Sequence, residues 1–133
     1  MLIEIPVAVA ELFDKISILE IKLAQVTDPQ RRKHAQAELT QLLGIVQQHD
    51  LSDFLKHPEY QQLRETNQQL WDLCEERRAL ETLQRFDQEF IDKSRLEYKT
   101  NDRRASVKQR INQHFDSTIV EVKSYERLSH ETD

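Results

Sequence analysis

Basic side chains concentrate in one twenty-residue segment of the chain, residues 93 to 112. Seven Lys and Arg residues lie there against two acidic ones, which gives the segment a net charge of +5. Because the whole chain carries −5, the remaining residues sum to −10. Two interpretations are open: the segment forms ordinary surface ion pairs, each worth at most ~1 kcal/mol, or it binds an anion.

The spacing within this segment favours an anion site at the start of a helix. Asn101 and Asp102 are good capping residues and predict that a fourth helix begins there. Free backbone amides would then converge with the guanidinium groups of Arg103 and Arg104 on a phosphate or carboxylate. Arg104, Lys108 and Asn112 are each four positions apart and form a polar row on one face of this helix. The predicted ligand-binding residues here are Asn101, Arg103, Arg104, Lys108 and Asn112.

The first helix supplies a second polar set. Lys15 and Lys22 lie on one flank of its apolar stripe, and we add both to the ligand-binding residues. A small enzyme acting on an anionic metabolite is the alternative to a binding protein. It would require Lys15, Glu20 and Lys22 to meet Arg104 and Lys108 in one pocket. We assign no catalytic residue.

We expect no metal site and no cofactor. Asp72, Glu75, Glu89 and Asp92 echo the paired acids of helical nucleotide pyrophosphohydrolases, but on one unbroken helix Glu75 and Glu89 would lie ~21 Å apart. A helical hairpin within residues 76 to 88 would bring the pairs together. The five histidines lack ligand spacing. Cys74 is interpreted as a packed thiol, and Trp71 as a packing residue.

One Gly and three Pro in 133 residues favour a mainly α fold, an antiparallel helical bundle in a single domain over residues 1–125 with a polar tail at 126–133. The apolar periodicity predicts helices over residues 7–26, 29–48 and 59–98, and from about residue 102. Gly44 is a candidate early end of the second helix. The β-favouring segments 2–5 and 118–122 suggest a minor two-stranded pairing of the termini.

The third predicted helix is too long for a compact domain. Forty residues would extend ~60 Å, whereas a domain of this size is ~36 Å wide. The helix therefore either bends around residues 82 to 87, or its surplus length pairs with another chain. On the second ground we predict a homodimer.

The environment is expected to be the cytoplasm. No apolar stretch is long enough to span a membrane, the start of the chain lacks a positive leader, and a lone cysteine gives no disulfide framework. The sequence pI near 5.6 argues against nucleic acid as a partner, since the acidic remainder would repel it.

Two stretches carry a resemblance. They are residues 11–22, ELFDKISILEIK, and residues 98–112, where Asn-Asp-x-Arg-Ala-x-Val-Lys-x-x-Ile-Asn stands at 101–112. Together with Ile119-Val120-Glu121 and Lys123-Ser124-Tyr125, they resemble a family of small bacterial helical proteins of unknown function. The resemblance implies a genetic context of surface-polysaccharide enzymes and no catalytic residue. Our leading interpretation is a binding or accessory protein with an anion-recognising basic surface; a purely structural interaction module is a third possibility.

Overall fold

The computed structural model describes residues 1–116, which form four α-helices and one short 3₁₀ helix. The helices are α1 (Val9–Gln25), α2 (Pro29–Gln48), α3 (Pro58–Thr82) and α4 (Gln88–His114), with the 3₁₀ helix Ser52–Lys56 between α2 and α3. The predicted mainly α architecture is confirmed. None of the helices in the described range is long and apolar enough to cross a bilayer.

The expected strand at residues 2–5 is absent. Leu2, Ile3 and Ile5 are highly exposed, and the helices beside them use their backbone groups internally and offer no sheet edge. The other half of the expected pairing, residues 118–122, and the predicted tail at 126–133 lie outside the described residues.

Helix α2 begins as the sequence predicts. The Asp28 side chain accepts a hydrogen bond from the Arg31 backbone amide at 3.2 Å, and Pro29 occupies the first turn. Gly44 does not end the helix, which continues to Gln48. The left-handed residue at its C-terminal end is Asp50, with φ 55°.

The predicted 40-residue helix is two helices joined by a tight turn. The amides of Gln84 and Arg85 donate to the carbonyls of Glu81 and Leu80, both at 2.9 Å, which is the Schellman pattern of helix termination. Gln84 adopts the left-handed conformation, φ 53°, and the Asp87 side chain caps α4 by accepting from the Phe90 amide. A bend at 82–87 was one of our two alternatives and is confirmed.

Two expectations fail with this hairpin. Asn101 and Asp102 lie inside α4 and start no helix, because the backbone remains helical through both and Thr100 turns its hydroxyl onto the Leu96 carbonyl at 2.7 Å. There are consequently no free helix amides at this position.

The excess helix length that supported a homodimer does not exist either, so self-association stays a prediction without that basis.

Helix α1 occupies the centre of the bundle and contacts each of the other three α-helices. Phe13 and Ile16 are fully buried. The Phe13 ring lies 4.9 Å from Phe54 of the 3₁₀ helix and 5.8 Å from Tyr60 of α3, measured between ring centroids. A core element that touches every neighbour can also present polar side chains to more than one of them.

The hairpin turn provides a test of the fold. Replacing Gln84 by Gly should raise the free energy of unfolding by about 0.5–1 kcal/mol, because glycine adopts the left-handed conformation without the steric cost of a Cβ. Urea unfolding followed by circular dichroism measures the change. Gln41→Gly, on an exposed position inside α2, is the matched control and should lower stability by about 1 kcal/mol. A loss of stability in Gln84→Gly would contradict the assigned turn.

Candidate functional site

A buried carboxylate, Asp14 of α1, organises the polar contacts between α1, α3 and α4. Asp14 is only 4% exposed. Its two oxygens accept from the Arg104 guanidinium, Nε to Oδ1 at 3.1 Å and Nη2 to Oδ2 at 2.5 Å. The Asn67 amide nitrogen donates to Asp14 Oδ1 at 2.9 Å and to Ser17 Oγ at 2.7 Å. We call these four residues the Asp14 network.

Lys108 and Asn112 extend the same row of α4 along α1. Lys108 is 6% exposed, and its ammonium group lies 2.8 Å from Glu11 Oε1 and 3.7 Å from Asp14 Oδ2. The Asn112 side-chain oxygen accepts from the Ala10 amide at 2.9 Å. Ala8, the N-cap residue of α1, has no side-chain hydrogen bond to offer, so Asn112 satisfies a free amide of the first turn from a distant part of the chain.

The polar row predicted on α4 therefore exists, but it faces α1. The predicted anion-recognising basic surface requires these cations to face outward without acidic partners, and for Arg104 and Lys108 that expectation is wrong, because Glu11 and Asp14 lie opposite them. Asn101 accepts from Arg104 Nη1 at 3.1 Å, and Arg103 donates to Gln69 at 3.1 Å on the surface. Intramolecular ion pairing, the alternative interpretation, describes these two cations, although the pairs are buried and not on the surface as that interpretation had them.

The acidic pairs on the α3–α4 hairpin hold no metal site. The hairpin that would bring them together is present, yet Glu89 pairs with Arg85 at 2.9 Å, and Asp92 accepts from Gln88 at 2.7 Å. Within residues 1–116, no group of three or more His, Cys, Asp or Glu side chains is placed to bind a metal ion.

A cleft of about 750 Å³ lies between the C-terminal half of α1, the turn into α2 and the middle of α3. Arg104 of α4 and Asn67 also line it, so it borders the Asp14 network. We call it the cation-lined cleft. Its basic residues are Lys22, Arg31, Arg78 and Arg104; its acidic residues are Asp28 and Glu75; its larger apolar residues are Ile18, Ile21, Val26, Leu70 and Trp71.

Three basic side chains at the rim of the cleft have no charged partner in the part of the chain that the structure describes. Lys22, Arg31 and Arg78 are exposed, and within residues 1–116 their charged groups form no ion pair or hydrogen bond. Two acids lie beside them: Asp28 accepts the Arg31 amide as the cap of α2, and Glu75 is an exposed residue of α3. Arg104 uses three of its five N–H groups on Asp14 and Asn101, which leaves two N–H groups for the cleft.

The predicted site residues divide between three places. Lys22 and Arg104 share the cation-lined cleft. Lys15 lies apart on the surface and pairs with Glu38 of α2 at 3.0 Å. Glu20 accepts from the Tyr60 hydroxyl. Asn101, Arg103, Lys108 and Asn112 make the contacts described above and do not line the cleft.

Sequence reasoning missed three residues of the cleft. Arg31 stands in the first turn of α2, and nothing in its local sequence distinguishes it from Arg32. Trp71, interpreted as packing, is half-buried and lines the cleft. Trp71 and Arg78 are seven residues apart, two turns of one helix, and this spacing was a usable signal for a shared face.

Cys74 also lines the cleft and is half-buried. Burial raises the pKa of Cys74, and the Glu97 carboxylate 3.6 Å from its Sγ raises that pKa further. A higher pKa reduces the thiolate fraction, so this side chain is a poor nucleophile.

A family model described as a family of unknown function, DUF6165, matches residues 1–131, nearly the whole chain. The chain belongs to this family. Comparison with curated proteins and with solved structures finds no match. The family description names no activity, so the geometry of this DUF6165 member is the basis for its function.

The Asp14 network predicts a large loss of stability on disruption. Asp14→Ala should lower the free energy of unfolding by about 3–5 kcal/mol, because it leaves the Arg104 guanidinium without its carboxylate and the buried Lys108 with Glu11 as its remaining acidic partner. Lys15→Ala, which removes the neighbouring exposed pair with Glu38, should cost at most about 1 kcal/mol. Urea unfolding measures both variants. Equal losses would mean that the buried network contributes no more than a surface pair.

Proposed function

We propose that this protein binds a small phosphate- or carboxylate-bearing molecule in the cation-lined cleft. The observation that supports this is the convergence of Lys22, Arg31 and Arg78, from three different helices, on one concave surface without an ion-pair partner in residues 1–116. Cations that converge in a cleft focus the electric field there and raise the local concentration of anions.

The construction of the cleft supports a small ligand. Its volume of about 750 Å³ falls in the range of small-molecule sites, which combine an apolar wall with a few polar groups. The Asp14 carboxylate holds Arg104 through two hydrogen bonds. An arginine fixed in this way loses little further conformational freedom when it donates its remaining N–H groups to a ligand.

Binding is favoured over catalysis. The enzyme alternative needed Lys15, Glu20 and Lys108 in the same pocket as Lys22 and Arg104. The first three make contacts elsewhere, so the cleft lacks the acid–base set that alternative required. We further propose, from the resemblance, an accessory role in surface-polysaccharide synthesis in the cytoplasm, which makes phosphosugars and nucleotide sugars the first ligands to screen.

Pyrophosphate is a suitable probe of the anion site, titrated by calorimetry. The double variant Lys22→Gln with Arg78→Gln should bind it about 100-fold more weakly than the unaltered protein, the factor expected for losing two charge-assisted hydrogen bonds of ~1.5 kcal/mol each. Rising salt should weaken binding to the unaltered protein.

The control removes the same amount of charge elsewhere. Lys15→Gln with Lys56→Gln lies outside the cleft and should change pyrophosphate affinity by no more than about twofold, because exposed charges beyond ~10 Å are screened. An equal loss in both double variants would show a general charge effect and no site. No stabilisation by pyrophosphate, inorganic phosphate, phosphosugars or dicarboxylates in a thermal-shift screen would refute the proposal and favour a structural interaction module.

A further inference from the structure

We infer that the ligand of the cation-lined cleft is a nucleoside diphosphate, free or esterified, whose base stacks on Trp71 and whose phosphates contact Lys22, Arg31 and Arg78. This inference rests on the proposed function and names the class of molecule that the same site takes. It follows from the order of chemical groups along the cleft.

The contribution of α3 to the cleft changes in character along the helix. Asn67, 5% exposed, lies at the inner end beside Arg104, since both bond to Asp14 Oδ1. Trp71 follows one turn later, ~6 Å along the axis, and Arg78 stands ~10 Å beyond Trp71. The α3 side of the cleft therefore presents polar groups, then an aromatic ring, then the exposed charges of Glu75 and Arg78.

The inner end can contact the edge of a base. Both hydrogens of the Asn67 amide nitrogen are used within the Asp14 network, whereas its amide oxygen accepts no hydrogen bond from residues 1–116. Arg104 retains two N–H donors at the same end. An acceptor and donors side by side complement the mixed hydrogen-bonding edge of a nucleobase, and a bare phosphate has only oxygens to offer them.

The middle of the cleft provides a stacking surface. Trp71 is half-buried and is accompanied in the lining by Ile18, Ile21 and Leu70. These side chains make no favourable contact with an inorganic anion. They bind a flat ring well, since bases stack favourably on aromatic side chains. The sugar of a nucleotide separates base from phosphate, as the spacing from Trp71 to Arg78 requires.

The charge at the rim favours more than one phosphate group. Lys22, Arg31 and Arg78 come from separate helices, and a single carboxylate would satisfy only part of this set. A diphosphate offers several oxygens along a short chain, which suits two arginine forks and one ammonium group.

Trp71 makes the experiment direct because it is the only tryptophan in the chain. Binding of UDP or ADP should change its emission, excited at 295 nm and corrected for absorption with free N-acetyltryptophanamide, whereas pyrophosphate should leave it nearly unchanged. By calorimetry, at least one of the two nucleoside diphosphates should bind about 10-fold or more tightly than pyrophosphate.

Two variants locate the gain in affinity. Trp71→Leu should remove the higher affinity for the nucleoside diphosphate over pyrophosphate. The affinity for pyrophosphate itself should stay within about twofold, because only the stacking surface is lost. Trp71→Phe should retain most of that advantage. Circular dichroism and the thermal midpoint verify folding of both. If Trp71→Leu does not fold, Trp71→Phe and the emission of the unaltered protein still decide the question.

The outcomes separate this inference from the proposed function. If pyrophosphate binds and neither UDP nor ADP binds more tightly, the inference is overturned and the anion site remains. If neither pyrophosphate nor the nucleotides bind, both fail. If uridine or adenosine binds as tightly as the diphosphates, the phosphate contacts are refuted. UDP-glucose binding at least as tightly as UDP identifies the esterified form, and weaker binding identifies the free form.

Discussion

The buried ion pair between Asp14 and Arg104 determines how the helices of this protein fit together. A carboxylate at 4% exposure must be supplied with donors, because an unpaired buried charge is very costly. Arg104 from α4 and Asn67 from α3 provide them. Meeting this one requirement fixes α3 and α4 against α1, and it places the Arg104 guanidinium at the inner end of the cleft.

The same pair explains the division of the basic residues into two groups. The basic residues of α4 that face α1 form ion pairs with Asp14 and Glu11. These pairs hold α4 against α1. Those on the rim, Lys22 of α1, Arg31 of α2 and Arg78 of α3, share the cleft with Asp28 and Glu75 but form no ion pair within residues 1–116. The structural cations are thus distinguished from the proposed ligand-binding cations by an acidic ion-pair partner. Their position in the sequence does not show whether such a partner is present.

Periodicity predicted α1 and α2 well because each has clear boundaries, such as the Asp28 cap followed by Pro29. It did not predict a separate α4, because the turn at Gln84 uses a left-handed residue other than glycine and leaves no glycine or proline as a signal. Among the cleft residues, Lys22 was predicted to bind a ligand from its position beside the apolar stripe of α1, and Arg104 from a predicted helix start. Trp71, Arg31 and Arg78 were not predicted as ligand-binding residues. Which cations find carboxylate partners depends on packing between residues as distant in sequence as Glu11 and Lys108, and local patterns carry no such information.

The bond from the Ala10 amide to the Asn112 side chain spans 102 positions. It has a consequence for synthesis on the ribosome. Helix α1 emerges before the other three described α-helices, but Asn112 and Arg104, which satisfy its first turn and its buried carboxylate, belong to the last of them. The α3–α4 hairpin joins neighbouring helices and can form as soon as it is made, whereas α1 gains its final neighbours only when α4 has been translated. Of the four described α-helices, the first to be made is therefore among the last to be completed.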